Sequence, residues 1–130
     1  MVILRALLFL MLLSGSGYAG PTEYYCTIKH DLKLSNDGNI QQLKNSPFLG
    51  KDFRIDRKTG TVRATSNLSG IDKLRVVFSG SAEHSFIAVA EIVGQYPKAS
   101  LIEIQEFVSG VSKPFLWHAP GAVLYSGTCV

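Results

Sequence analysis

Charged side chains, cysteine, proline and tryptophan are all scarce in this sequence. Only 18% of the 130 residues are Asp, Glu, Lys or Arg, and the chain has 2 Cys, 5 Pro and 1 Trp. So few cysteines exclude a disulfide-dense scaffold, and so few prolines exclude a collagen-like repeat. Because 46% of the residues are hydrophobic, the composition also excludes a disordered chain. A folded domain that can bury a core without a metal remains.

The beginning of the chain has the order of an export signal. Arg5 supplies a positive charge, Ala6 to Leu13 form an apolar run, and small residues surround Ala19. This run reaches only about 12 Å as a helix, against a hydrocarbon core of roughly 30 Å, so we do not expect a membrane anchor. We predict a signal peptide over residues 1–19, cleaved after Ala19, and a single β domain over residues 20–130, periplasmic or secreted.

Cys26 and Cys129 lie near opposite ends of this domain. An exported protein meets an oxidising compartment, which favours pairing them. The alternative is a pair of reactive thiols, but the sequence has no CxxC motif and no cation cluster beside either cysteine. We therefore predict a disulfide that joins the first strand to the last.

Apolar and polar residues alternate along most of the domain, which is the pattern of half-buried strands. The clearest unit is a hairpin over residues 52–64 that turns at residues 56–60, with glycine at the position of positive φ. Further strands are predicted at residues 25–31, 74–79, 85–93, 101–108, 113–117 and 122–129. About eight short strands indicate an all-β fold, a compact antiparallel barrel or sandwich with at most one short helix.

Two segments carry more specific expectations. Residues 40–44 have apolar side chains at helical offsets, which fits one helical turn or a loop. Residues 86–93 are apolar on both faces except at Glu91, which predicts the most central strand of the sheet.

The motifs of the domain resemble those of a set of small exported proteins of Gram-negative bacteria. The similarity rests on residues 24–26, 53–60, 80–86, 106–115 and 126–129, and so covers nearly all of the predicted mature chain. It implies an exported location and carries over no catalytic or binding residue.

A looser likeness is to the periplasmic lysozyme inhibitors. The shared features are Tyr24 and Cys26 near the start, Cys129 near the end, and the aromatic-to-glycine stretch from Phe115 to Gly121. The Ser-Gly-x-x-Tyr loop of these inhibitors does not precede that stretch. The likeness implies a small β-barrel and an enzyme inhibitor as one alternative function.

Catalytic and metal chemistry find little support. His30, His84 and His118 lie in separate segments without a known ligand spacing. Glu83, His84 and Ser85 have the composition of a triad, but neighbours on a strand point to opposite faces, and no GxSxG motif is present. We predict neither an enzyme nor a protein that needs a cofactor or a metal.

Charge is distributed unevenly along the chain. Residues 24–75 contain ten Lys and Arg against five Asp, a charge of +5, whereas residues 76–130 carry a charge of −2. Five cations lie in or beside the predicted hairpin: Lys51, Arg54, Arg57, Lys58 and Arg63. We predict that Arg54, Arg57, Lys58 and Arg63 bind an anionic envelope component or protein, and nucleic acid is not expected because no aromatic platform lies among the cations.

Late aromatic residues suggest a second alternative. Phe107, Phe115, Trp117 and Tyr125 fall on strands that are expected to be neighbours, where they line a barrel mouth for an apolar ligand or fill the core. The sequence thus favours a non-enzymatic binding domain for an anionic macromolecule, with a small apolar-ligand carrier and an enzyme inhibitor as alternatives.

Overall fold

Antiparallel strands make up the fold. The computed structural model describes residues 20–64 and 72–130, so the predicted signal peptide over residues 1–19 lies outside the described residues. The described residues form nine strands and no helix. The strands are β1 (Glu23–Leu34), β2 (Ile40–Gln42), β3 (Asp52–Asp56), β4 (Val62–Ala64), β5 (Arg75–Ser79), β6 (Phe86–Ile92), β7 (Lys98–Ile104), β8 (Lys113–Ala119) and β9 (Val123–Cys129).

The strands belong to one sheet that curls into a partly closed barrel. Its order is β4-β3-β1-β9-β8-β7-β6-β5, and β2 pairs separately with the far end of β1. The two ends of this order meet where residues 60–62 pair with residues 72–74, a contact that we call the seam. There the Val62 amide donates to the Asp72 carbonyl over 2.7 Å, and the Leu74 amide donates to the Gly60 carbonyl over 2.9 Å.

The predicted all-β barrel or sandwich is confirmed, with two local corrections. The helical turn or loop expected at residues 40–44 is wrong for residues 40–42, because Ile40–Gln42 pairs with the end of β1 across the turn that contains Gly38. The central position expected for residues 86–93 is also wrong. Strand β6 is next to the last strand of the order, and its outward residues Ile87 and Val89 are only half-buried.

The disulfide expected between the first and last strands is confirmed. Cys26 and Cys129 are direct partners in the β1–β9 register, their Cα atoms are 3.9 Å apart, and both are fully buried. Such a bond indicates an oxidising compartment. It encloses a sequence separation of 103 residues, so it restricts most of the unfolded chain.

Aromatic side chains fill the centre of the core. Trp117 is fully buried, with its ring centroid 4.9 Å from that of Phe53 and 6.1 Å from that of Tyr125. Its indole N–H donates to Ser100 Oγ over 2.7 Å, so the one polar atom of this side chain is satisfied. Phe53 also contacts Phe115 edge to face at 5.2 Å. These contacts anchor the inner face of β3, whose outer face carries the predicted arginines.

Candidate binding face

Strands β3 and β4 form the predicted basic hairpin, and buried and exposed side chains alternate along β3. Phe53 and Ile55 are buried, whereas Arg54 and Arg63 are exposed. Arg54 and Arg63 are direct partners in the β3–β4 register and therefore project side by side to solvent. Within the described residues, neither guanidinium forms an ion pair with a carboxylate. The structure thus leaves two neighbouring cations open to a ligand.

Tyr25 supports this pair from the neighbouring strand. It is the register partner of Arg54, whose guanidinium carbon lies 4.9 Å from the centroid of the Tyr25 ring. A cation over an aromatic face is favourable, so the ring restrains the guanidinium without neutralising its charge. Asp52, two residues before Arg54 in β3, accepts hydrogen bonds from Thr27 Oγ1 at 2.7 Å and from Tyr25 Oη at 3.4 Å.

Arg57 has a different role from Arg54 and Arg63. Its guanidinium donates to the carbonyls of Ser79 at 2.5 Å, Gly80 at 2.7 Å and Pro21 at 3.3 Å. It also lies 5.8 Å from the centroid of the Tyr24 ring. Arg57 therefore joins the hairpin turn to the end of β5 and to Pro21, just before β1. Within the described residues, its guanidinium N–H groups are engaged by these carbonyls, unlike those of Arg54 and Arg63.

The turn itself is organised by Asp56. The Asp56 carboxylate accepts the Thr59 amide at 2.7 Å and the Lys58 amide at 2.9 Å. These two amides, in that order, hold the pKa of Asp56 below its usual value, and the positive charge of Arg63 adds to the shift. Lys58 is exposed at the tip of the turn. The carboxylate is thus occupied by backbone, while the neighbouring lysine side chain faces solvent.

The structure adds two cations that the sequence analysis did not select. Lys73 forms the bridge partner of Thr61 across the seam, and Arg75 begins β5. Both are exposed and flank the buried Leu74, so they project outward beside the hairpin. We call Arg54, Arg63, Lys73 and Arg75 together the cationic face. The alternation of exposed and buried residues around Leu74 indicates that Lys73 and Arg75 point outward. Only the pairing at the seam shows that they lie beside the hairpin.

The remaining sequence candidates are dispersed. Lys51 is exposed just before β3, while His30, His84 and His118 lie in β1, in the loop before β6 and in β8. In the part of the chain that the structure describes, no cluster of three or more metal-ligating side chains occurs.

The triad composition noted around His84 does not assemble into a catalytic arrangement. Ser85 Oγ donates to Glu103 Oε1 over 2.8 Å, so this hydroxyl hydrogen-bonds a carboxylate on β7. The amides of Glu83 and His84 both donate to Ser81 Oγ at 3.1 Å, which makes the segment an ordered turn.

The four aromatic residues expected at a barrel mouth differ in burial and do not line one cavity. Trp117, Phe115 and Tyr125 belong to the core, whereas Phe107 is 44% exposed in the loop after β7. The cavity lined by Phe107 is an outer groove that Trp117 does not reach.

Comparison with protein-family models, with curated proteins and with solved structures gives no match. Among the described residues, no helix has the length and apolarity that crossing a membrane requires.

Proposed function

We propose that the protein is a non-enzymatic, exported binding domain that holds an anionic macromolecular partner on its cationic face. The observation that carries this proposal is the direct register pairing of Arg54 with Arg63 on an exposed surface. Like charges opposite each other destabilise a strand pair. A phosphate or carboxylate between them converts this repulsion into two charge-assisted contacts, which arginine can make in bidentate geometry.

The surroundings of the pair favour the same function. Asp52 and Asp56, the carboxylates of the hairpin, accept hydrogen bonds from Thr27 and from the turn amides rather than from the two guanidinium groups, although the charge of Arg63 acts on Asp56. Lys73 and Arg75 extend the positive surface across the seam, which increases the attraction for a partner with several negative groups. A phosphorylated glycolipid or another anionic component of the cell envelope has this chemistry.

The proposed location is the periplasm or the extracellular space. The disulfide between Cys26 and Cys129 indicates an oxidising compartment. The export signal predicted over residues 1–19 agrees with it.

The test is binding to lipopolysaccharide, a phosphorylated glycolipid, by Arg54→Ala/Arg63→Ala. We expect affinity to fall about tenfold or more, because both bidentate donors are lost. The dependence of affinity on salt should also flatten, since fewer charges take part. The matched control is Lys33→Ala/Lys44→Ala, which removes two exposed cations at the far end of β1, beside β2.

The control should retain wild-type affinity within about twofold, because its lysines lie away from the cationic face. Dephosphorylated lipopolysaccharide should bind wild type as weakly as the phosphorylated form binds the arginine variant. Equal binding by both double variants across the salt titration would overturn the proposal, because the hairpin would then be only a solvated surface.

A further inference from the structure

A groove crosses the outer face of β5, β6 and β7, beyond the seam from the hairpin. Its floor is a transverse row of side chains, because Phe78 lies opposite Ile87 and Ile87 lies opposite Glu103. Phe107, from the loop after β7, completes the apolar lining, and the volume is about 640 Å³. This aromatic groove has the size of a site that takes a side chain or a short peptide segment.

A β-bulge places Phe78 in this groove. Val76 pairs with Ala88, but the next pair along the ladder is Phe78 with Ile87, so Val77 is an extra residue in β5. Strict alternation from the inward Val76 would send Phe78 into the core. The bulge turns Phe78 outward instead, where 58% of its surface is exposed. Bulges commonly re-aim a side chain at functional sites, and a contiguous exposed apolar patch, here Phe78 and Phe107 with Ile87, marks an interaction site.

The charges around the groove are opposite in sign to those of the hairpin. Glu83 and Glu103 line it, together with His84. Glu103 is held in place by the hydrogen bond from Ser85 Oγ. Among the described residues, no lysine or arginine lines the groove; Arg57 reaches its edge, where its guanidinium donates to the Ser79 and Gly80 carbonyls. An apolar floor with two carboxylates at its side complements a ligand that is apolar and positively charged.

We propose that the aromatic groove binds a segment of a partner polypeptide that presents an aromatic or aliphatic side chain next to Arg or Lys. The apolar side chain packs between Phe78 and Phe107, and the neighbouring cation pairs with Glu83 or Glu103. This site uses none of the residues of the cationic face and takes a ligand of opposite charge. It therefore stands independently of the function proposed above.

The test uses two synthetic peptides that share an apolar centre and differ in charge: Ac-Arg-Phe-Leu-Arg-NH₂ and Ac-Glu-Phe-Leu-Glu-NH₂. Each is titrated into the oxidised protein, and binding is followed from the NMR methyl signals of Ile87. We expect the basic peptide to bind about tenfold more tightly than the acidic one, because only the basic peptide can pair with the two carboxylates.

Two variants separate the apolar and the charged contributions. Phe78→Ser should lower the affinity for the basic peptide about tenfold. The control Tyr96→Ser removes a 76% exposed tyrosine outside the groove and should leave that affinity unchanged. Glu83→Gln/Glu103→Gln should bring the affinities for the two peptides to within about threefold of each other. Phe107→Ser is the second apolar variant if Phe78→Ser lowers the melting temperature.

Four outcomes would overturn the proposal. The first is equal affinity of the two peptides for wild type. The second is unchanged binding by both apolar variants, and the third is no shift of the Ile87 signals at millimolar peptide. Self-association of the wild type that disappears in Phe78→Ser would also overturn it, since a second copy of the chain would then be the occupant.

Discussion

The hairpins on either side of the seam, β3–β4 and β5–β6, differ in how regularly their side chains alternate between the core and solvent. In β3 the alternation is uninterrupted: Phe53 and Ile55 enter the core, and Arg54 faces solvent beside its β4 partner Arg63. In β5–β6 the extra Val77 interrupts it and sends an aromatic side chain outward. The result is a cationic face that runs from β3 and β4 across the seam to Arg75 at the start of β5, and an acidic, apolar groove farther along the second hairpin.

This difference shows where a sequence pattern is informative and where it is not. An uninterrupted alternation predicts which face a residue occupies, because the side-chain period of a strand is two. A bulge shifts the period by one residue, and every later side chain in the strand changes face. The different faces of the two hairpins therefore depend on the strand pairing that holds each hairpin in the sheet and on the seam that joins them.

The largest expected effect on stability comes from the disulfide, which holds β1, the strand that pairs with β3, against β9. Cys26 lies opposite Phe53 in one direction and Cys129 in the other. Cys26→Ser/Cys129→Ser should lower the free energy of unfolding by about 4 to 5 kcal/mol in the chain-entropy model. Urea unfolding of the oxidised protein and the variant measures it. A loss below about 1 kcal/mol would contradict the view that this bond restricts the unfolded chain.

A smaller but more local effect is expected at the seam. Gly60 has a φ of +74°, and a Cβ there would lie 2.0 Å from the Leu74 carbonyl oxygen. Gly60→Ala should therefore cost about 2 to 4 kcal/mol, from the strained backbone and the displaced strand together.

Gly38→Ala is the matched control for the seam variant. Gly38 has a φ of +85°, but nothing lies within 4 Å of the added Cβ, so only the backbone cost of about 1 kcal/mol applies. Equal losses in the two variants would show that the seam does not hold the hairpins together.

The third effect distinguishes two arginines of the same hairpin. Arg57→Ala should cost about 1.5 to 3 kcal/mol, because its guanidinium donates to carbonyls of Ser79, Gly80 and Pro21. Arg54→Ala should change stability by about 0.5 kcal/mol or less, as is usual for an exposed side chain. Thermal unfolding of both variants measures the difference. If Arg54→Ala is the more destabilising, the division into a structural and a ligand-binding arginine is wrong.

Much of the first hairpin could be predicted from sequence, and much of the second could not. The turn at residues 56–60, the outward Arg54 and Arg63, and the Cys26–Cys129 bond follow from alternation, glycine placement and cysteine count. Local pattern does not show a bulge, so the outward position of Phe78 was not predicted. It also does not show which strands meet at a closure, so Lys73 was not assigned to the hairpin.

The two wrong predictions have different causes. Residues 40–44 are too few for periodicity to define their structure, and pairing with the end of β1 decides the outcome for Ile40–Gln42. Strand β6 is apolar on both faces, but its outward residue Ile87 lines the aromatic groove and is not covered, and the strand lies next to the end of the order.

The most direct test of the two opposite faces is calorimetric titration of lipopolysaccharide into wild type, Arg54→Ala/Arg63→Ala and Phe78→Ser under identical salt. Both variants change exposed side chains, so each should remain folded. We predict that the arginine variant loses about tenfold in affinity while Phe78→Ser binds as wild type does. Equal affinity of all three proteins, or a loss confined to Phe78→Ser, would contradict an anionic partner on the cationic face.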